Sequence, residues 1–244
     1  MSEQIEALTD ALKQSQRIVF FGGAGVSTES GIPDFRSADG IFMQETGNQY
    51  RPEQIISHSF FKRFPAVYFD FHFDKLVYPL AQPNLAHTFL VELEKMGKDV
   101  SVVTQNIDGL HQLAGSSKVY ELHGSVYDNY CLTCGRHYLV DQLQRDEAGI
   151  PRCPEDGGIV RPNIVMYEEP LDQQTIMQAI DAIRSADLLI VAGTSLVVYP
   201  AASFINYFQG DQMVIINKSP LQVTYPGALV FEDSISHVFS QVEL

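Results

Sequence analysis

The apolar run Arg17–Phe21 leads directly into Gly22-Gly23-Ala24-Gly25-Val26-Ser27. Glycines at such a point let the backbone turn tightly and bring N–H groups close to a pyrophosphate at a helix N-terminus. The match to G-x-G-x-x-G is incomplete, because Thr28 stands at the third glycine position, and a plain strand-to-helix turn explains the spacing equally well. The continuation, Ser30-Gly31-Ile32-Pro33-Asp34-Phe35-Arg36, strengthens the ligand reading. Pro33 fixes a loop there, and Asp34, Phe35 and Arg36 set an acid, a ring and a phosphate-pairing cation beside the turn. A dinucleotide-dependent dehydrogenase would instead continue into an amphipathic helix and reach an acid at the next strand end.

Gln105-Asn106-Ile107-Asp108-Gly109-Leu110-His111 follows the apolar run Val100–Thr104. The loop after a strand of a parallel sheet faces the ligand crevice, and Gln, Asn and Asp there can bond ribose hydroxyls and a carboxamide. A capped helix start, with Asn106 or Asp108 as N-cap, is the alternative. His123 lies between the strand-like Val119–Glu121 and Gly124, placed as a general base would be. A satisfied core or surface histidine is its plainer alternative. His58, His72, His87, His111, His137 and His237 have no comparable neighbours.

The only cysteines are Cys131, Cys134 and Cys153. An odd, clustered set makes a poor disulfide framework and a better metal site. Cys131-Leu132-Thr133-Cys134 has zinc-ribbon spacing, but the second pair is broken, with Asp156 where a fourth cysteine belongs. Three outcomes are open. Zinc is held by the three thiolates with Asp156, His137 or water; or the module is a metal-free remnant; or Cys131 and Cys134 form a redox pair. In each the module is structural rather than catalytic.

Around these groups, continuous apolar runs predict strands buried on both faces at Arg17–Phe21, Val100–Thr104, Leu188–Ala192, Met213–Asn217 and Ala228–Phe231. Helical periodicity covers Ile5–Ser15, Leu85–Met96, Leu171–Ser185 and Ile235–Val242. The alternation predicts an α/β fold with a doubly wound, Rossmann-like parallel sheet. Two insertions interrupt it, an aromatic-rich helical stretch (37–83) and the cysteine-bearing stretch (127–161), which together form a smaller module. The sheet domain is then 1–36, 84–126 and 162–244.

At 244 residues, 45% hydrophobic and 19% charged, the chain is neither disordered nor collagen-like. Thirty acidic residues against 16 basic ones give a charge of −14, which argues against sequence-independent nucleic-acid binding and suits a cationic partner. The N-terminal stretch carries Glu3, Glu6 and Asp10 among Ile5, Leu8 and Leu12, an amphipathic helix rather than a signal peptide. The uncharged stretch between Asp187 and Asp211 is long enough to span a bilayer, but Gly193, Thr194, Ser195, Pro200 and Asn206 split it into a strand and a short helix at Ala201–Phe208. A cytoplasmic protein that engages no membrane is expected.

Taken together, the segments resemble the sirtuin family, the NAD-dependent protein deacylases, in its compact bacterial form. The resemblance rests on Gly23–Ser27 with Gly31–Arg36, Thr104–His111, Leu122-His123-Gly124, the Cys-x-x-Cys pair, Arg161–Val165, Gly193-Thr194-Ser195 and Val198–Ala202, in the family's order over nearly the whole chain. It implies that Ala24, Thr28, Phe35, Arg36 and Gln105 line an NAD pocket. It places Asn106, Ile107 and Asp108 at the nicotinamide end, with Ile107 and Asp108 meeting the carboxamide. Thr194 and Ser195 would contact phosphate or ribose, Asn217 the adenosine ribose, and Asp233 or its neighbour the adenine. The acyl-lysine oxygen would attack the anomeric carbon, and His123 would then activate a ribose hydroxyl against the resulting imidate. Free lysine, nicotinamide and O-acyl-ADP-ribose would be the products. The carbonyl of Val165 would accept the lysine amide N–H, and the family pattern makes structural zinc the expected metal.

Two departures bear on specificity. Glu168-Glu169 stands where the family usually has Gly-Glu, which puts the peptide groove in question and adds negative charge beside it. Members that remove succinyl or malonyl groups carry a Tyr-x-x-Arg pair, whereas the corresponding Phe71-His72-Phe73-Asp74 ends in an acid. Neutral acyl groups, acetyl or longer, are therefore expected. The rival readings are a protein mono-ADP-ribosyltransferase and a module that senses NAD without turnover.

Overall fold

A computed structural model describes residues 2–44, 49–221 and 225–244 of the chain. In chain order its strands are β1 (Arg17–Gly22), β2 (Asp99–Thr104), β3 (Val119–Glu121), β4 (Gly124–Cys131), β5 (His137–Leu139), β6 (Gln144–Arg145), β7 (Pro151–Arg152), β8 (Val160–Ile164), β9 (Leu188–Ala192), β10 (Gln212–Ile216) and β11 (Leu229–Phe231). The α-helices are α1 (Ser2–Gln14), α2 (Pro52–Ile55), α3 (His58–Arg63), α4 (Pro65–Lys75), α5 (Leu85–Lys95), α6 (Leu110–Ala114), α7 (Gln173–Ser185) and α8 (Ile235–Ser240).

Six strands form one parallel sheet in the order β11-β10-β9-β1-β2-β3. The chain builds outward from β1 to β3 on one side and from β9 to β11 on the other, so the order reverses at the β1–β9 boundary. An open parallel sheet receives its ligand at such a reversal, beyond the strands' carboxyl ends. The register puts those ends level: Gly22 pairs with Thr104 and with Ala192, and Ala192 pairs with Ile216. Gly23, Gln105, Gly193 and Asn217 therefore leave the sheet side by side.

Both faces of the sheet are covered, which is why its strands read as unbroken apolar runs. Ile18, Phe20, Val102 and Ile190 pack with α1, α5 and α8, where the rings of Phe89 and Phe239 stack 4.2 Å apart. Val19, Phe21, Leu189 and Val191 face Ala179 and Ile183 of α7 and Phe204 of the 3-10 turn Ala201–Tyr207. Helix starts follow their caps. Helix α7 begins two residues later than its apolar pattern, because the Asp172 side chain accepts from Thr175 N at 2.8 Å.

The two interrupting stretches share buried surface. Ile150 and the partly buried Ile159 pack with Ile41, Phe61, Tyr68 and Phe69, and Arg145 lies 4.4 Å over the Phe73 ring. The cysteine-bearing part is built on a second sheet, β5-β4-β8, whose strands run antiparallel. Among the described residues no helix is long and apolar enough to cross a membrane.

Candidate active site

At the carboxyl ends of the parallel strands lies a cavity of about 630 Å³. The glycine-rich turn forms one wall with Ala24 and Thr28, and the following loop adds Phe35 and Arg36. Gln105, Asn106 and His123 enter from the β2 and β3 ends, Thr194 and Ser195 from the β9 end. Asn217 and Asp233 close the far side after β10 and β11. Ile107, Asp108 and Val165 do not line this cavity, although each is tied to a residue that does or to the loop carrying one.

As the loop reading of Pro33 implies, no α-helix follows β1; two 3-10 turns, Ala24–Val26 and Thr28–Ser30, end at Gly31 with φ +82. The N–H groups of Gly23 and Gly25 donate to the carbonyls of Ala192 at 3.2 Å and Gly193 at 2.8 Å. A Cβ on Gly23 would sit 2.7 Å from that of Thr194, and one on Gly25 2.8 Å from Gly193 Cα. These two glycines thus permit the β1 and β9 loops to touch, which is a different reason for glycine from close approach to a phosphate.

Thr194 is the node of the floor. Asn217 Oδ1 accepts from Thr194 N at 3.0 Å and Asn217 Nδ2 donates to Thr194 O at 2.7 Å. Gln105 Nε2 donates to Thr194 Oγ1 at 3.1 Å. Asn217 is therefore held against the 193–195 turn at both ends of its amide. At the rim, Asp34 Oδ1 accepts from the N–H groups of Arg36 (3.0 Å) and Ser37 (2.8 Å), and the Arg36 guanidinium donates to Tyr167 Oη at 3.2 Å.

Beneath the Gln105–Asp108 loop is a buried polar chain that the sequence reading did not single out. Ser27 Oγ donates to Asp108 Oδ2 at 2.6 Å and accepts from Asn106 Nδ2 at 3.1 Å. Asp108 Oδ1 accepts from Leu110 N at 3.0 Å, the first N–H of α6, while the N-cap position is Gly109 rather than Asn106 or Asp108. A serine right after a glycine-rich turn was the available signal for this link.

His123 is largely buried and its Nδ1 lies 2.9 Å from the Gln105 carbonyl oxygen. A carbonyl only accepts, so Nδ1 carries the proton and Nε2 holds a lone pair. Burial lowers the pKa of this ring, opposed in part by the bond to Gln105. The backbone continues the line: Val165 N donates to His123 O at 2.9 Å, fixing the segment that follows β8 beside the histidine.

That segment is anchored by a buried ion pair. Arg161, 3% exposed, contacts both carboxylate oxygens of Glu169 at 2.5 and 3.1 Å and donates to Ile164 O at 2.7 Å. His58 Nδ1 lies 2.6 Å from Glu169 and Met166 N donates to it at 2.9 Å. Burial alone would raise the pKa of Glu169, but Arg161 and these bonds hold it at about 2. The neighbouring Glu168 adopts φ +76, the conformation a glycine would take there. Its carboxylate accepts from Ser59 N at 2.8 Å and Ser59 Oγ at 2.9 Å. The replaced glycine therefore leaves the backbone path intact, and the added charge is bound to the start of α3.

In the second insertion, donor atoms of Cys131, Cys134, Cys153 and Asp156 all lie within 4.8 Å of one another. Zn–S bonds of about 2.3 Å and a Zn–O bond of about 2.1 Å give tetrahedral edges of about 3.8 Å for S–S and about 3.6 Å for S–O. Cys134 and Cys153 are 3.8 Å apart, and Cys131 Sγ is 3.4 Å from Asp156 Oδ1. The donor set fits zinc with Asp156 as fourth ligand. His137 is not among these mutually close donors, and its Nδ1 lies 2.7 Å from Asp128 Oδ1. All three thiols are free, with no disulfide at Cys131 and Cys134.

The Phe71–Asp74 stretch, by contrast, does not line the cavity. Phe71 and His72 are buried in the aromatic cluster, and Asp74 is exposed beside Lys75 at 3.0 Å.

A doubly wound sheet with a crevice at its switch point, a polar loop after the neighbouring β2 and a proton-accepting histidine defines a dinucleotide-using enzyme with an attached ribbon module that fits a metal. The Sir2 family model matches residues 23–200. An NAD-dependent protein deacetylase of Clostridium perfringens (strain 13 / Type A) is 54% identical over 243 residues, covering 99% of each chain. Among solved structures, a Sir2–p53 peptide–NAD+ complex superposes with a TM-score of 0.84 at 36% identity, covering 97% of this chain and 96% of that one. Sir2Tm bound to a propionylated peptide gives 0.83 at 35% identity, with the same coverage. The chain belongs to the Sir2 family.

Proposed function

We propose that the chain is an NAD-dependent protein deacetylase that removes acetyl and other neutral acyl groups from lysine side chains. The observation that carries this reading is the placement of a proton-accepting His123 Nε2 in the same cavity as the glycine-rich turn and Arg36. The deacetylase relative and the peptide- and NAD-bound neighbours support it.

The cavity runs from Arg36 to Asp233 across the sheet's switch point, with apolar Phe35 and polar Gln105 and Asn106 between them, which suits an extended dinucleotide. When bound, NAD supplies nicotinamide as the leaving group and ADP-ribose as the acyl acceptor. Ala24, Thr28, Ser195 and Arg36 bind its phosphates and ribose. Asn217 and Thr194 hold the adenosine side of the floor, and Asp233 lies by the adenine. Ser27 fixes Asn106 and Asp108 so that they, with Ile107, orient the carboxamide end. Phe35 excludes water. His123 Nε2 takes the proton of a ribose hydroxyl.

The peptide lies along residues 165–169, where the Val165 carbonyl receives the lysine amide N–H. Acyl-lysine-bearing proteins or peptides are thus the partners, with neither nucleic acid nor membrane required, and the cytoplasm is the setting. The segments 37–83 and 127–161 act as a small domain opposite 1–36, 84–126 and 162–244, and zinc on Cys131, Cys134, Cys153 and Asp156 holds the ribbon together. Incubation of the protein with NAD and an acetyl-lysine peptide tests the reading: peptide-dependent nicotinamide release is expected, and modification of protein by ADP-ribose without deacetylation would favour the transferase instead.

A further inference from the structure

Tyr167 is tied to two distant parts of the chain. Its main chain belongs to the segment after β8 and is clamped to the helical insertion. Tyr167 N donates to Ile56 O at 3.1 Å, and the Tyr167 carbonyl accepts from His58 N at 3.0 Å. Its side chain reaches the loop after the glycine-rich turn, where the hydroxyl accepts from Arg36 Nη2 at 3.2 Å. Arg36 lines the cavity at the sheet's carboxyl ends, and Tyr167 itself does not.

The surroundings of the guanidinium give this bond its weight. Arg36 lies 5.3 Å over the Phe42 ring, which in turn packs 5.3 Å from the ring of Phe35. The adjacent carboxylate of Asp34 accepts from the backbone N–H groups of Arg36 and Ser37 instead. Among the described residues, no carboxylate pairs with the guanidinium, and the Tyr167 hydroxyl is its hydrogen-bond acceptor. A long side chain loses rotamer freedom when a ligand fixes it, so a ring on one face and an acceptor at one N–H lower that cost beforehand. A carboxylate would orient the guanidinium equally well but would neutralise it. A phenol is uncharged, so Arg36 keeps its positive charge and its remaining N–H donors for an anion. In a chain of net charge −14 that difference matters to an anionic ligand.

We propose that Tyr167 is a positioning residue for the cofactor: its hydroxyl holds the Arg36 guanidinium, still charged, at the cavity rim where the phosphates of NAD bind. One residue then serves both substrates, with its backbone in the segment assigned to the peptide and its side chain on the cation assigned to the cofactor. The proposal rests on the NAD-binding part of the deacetylase reading.

The test is Tyr167→Phe, which keeps the ring and both main-chain bonds and removes the hydroxyl alone. Titration calorimetry with ADP-ribose, which carries the phosphates and needs no turnover, should show affinity about fivefold weaker than wild type, the scale of one hydrogen bond. The KM of NAD should rise by a similar factor. The kcat, the KM of an acetyl-lysine peptide and the inhibition constant of nicotinamide, which has no phosphate, should stay within about twofold. In an Arg36→Gln background, Tyr167→Phe should leave ADP-ribose affinity unchanged, because the hydroxyl acts through the guanidinium.

ADP-ribose affinity equal to wild type in Tyr167→Phe, or the same loss in both backgrounds, overturns the proposal. So does a rise in the peptide KM alone, which marks a structural role in the segment after β8. If Arg36→Gln binds ADP-ribose too weakly to titrate, the first arm decides: a loss for ADP-ribose without one for nicotinamide supports the bond, and an equal loss for both overturns it. A wild type that binds ADP-ribose but releases no nicotinamide with acetyl peptide sinks the deacetylase reading and leaves the calorimetric test standing. A wild type that binds no ADP-ribose sinks both.

Discussion

His123 Nδ1 stands 2.9 Å from the backbone carbonyl of Gln105, and this one bond makes the opposite nitrogen of the ring a base rather than a donor. Gln105 also donates to Thr194, so the group that orients the base is itself fixed to the cavity floor. Base function requires the neutral ring, and burial holds its pKa below the ordinary histidine value of 6.5. The rate should therefore hold from neutrality down and fall only at a pH below the ordinary histidine value. His123→Ala should retain NAD binding and lose deacetylation by ~100-fold or more. A pH–rate profile with its acid limb above pH 7, or full activity in the variant, would count against the assignment.

The ribbon should depend on metal. Elemental analysis of the purified wild type should give about one zinc per chain. Asp156→Ala should lower metal affinity and leave the ribbon more open to proteolysis near Cys153, while Asp156→Cys should bind more tightly. Equal, negligible zinc in wild type and Asp156→Ala, with unchanged stability, would mean that packing alone holds the fold.

Glu168 and Glu169 are adjacent carboxylates with opposite expectations. Glu169→Ala leaves Arg161 charged and buried, which should cost about 3–5 kcal/mol. Glu168→Gly relieves a left-handed backbone but gives up a cap on a short helix, effects of about 1 kcal/mol each and opposite in sign. Urea denaturation should thus show a large loss for the first and a change under about 1 kcal/mol for the second. Equal effects would show that the ion pair is not what anchors the segment after β8.

Acid should loosen the protein before its carboxylates titrate. His72 and His111 are pushed down to about 3 and His87 to about 4, all by burial. A depressed histidine favours the folded state above its unfolded value near 6.5, and that stability is lost as pH falls toward the folded value. Glu121, raised to about 7 by burial, acts the other way over part of the range. On balance unfolding takes up about two protons between pH 6.5 and 4.5, or about 3 kcal/mol per pH unit. A denaturation midpoint that stays flat from pH 7 to 5 would contradict this.

Much of the frame was legible in sequence because it rests on patterns that burial imposes. Leu188–Ala192 is apolar at every position since both faces are covered, and the structure places β9 on those same residues. The helices at Leu85 and Ile235 follow caps at Asn84 and Ser234 that sit next to periodic apolar runs. The loop-to-loop contact of Gly23 and Gly25 is not legible in the glycine turn, because glycine serves such contact as readily as ligand approach and spacing does not separate the two. At position 168 the residue type is visible in the sequence and the φ of +76 is not, so the backbone's retention of a glycine-like conformation emerges only from the fold. The Arg161–Glu169–His58 hub and the His87–His111 pair join distant parts of the chain without any local period, so only the fold reveals them.

The most direct test of the account is one incubation of the protein with NAD and an acetyl-lysine peptide, read by mass spectrometry beside propionyl- and succinyl-lysine peptides. O-acetyl-ADP-ribose and nicotinamide should form in step with free lysine, with comparable turnover of the propionyl peptide and little of the succinyl one. Intact acetyl peptide after complete NAD consumption, or none consumed at all, would contradict it.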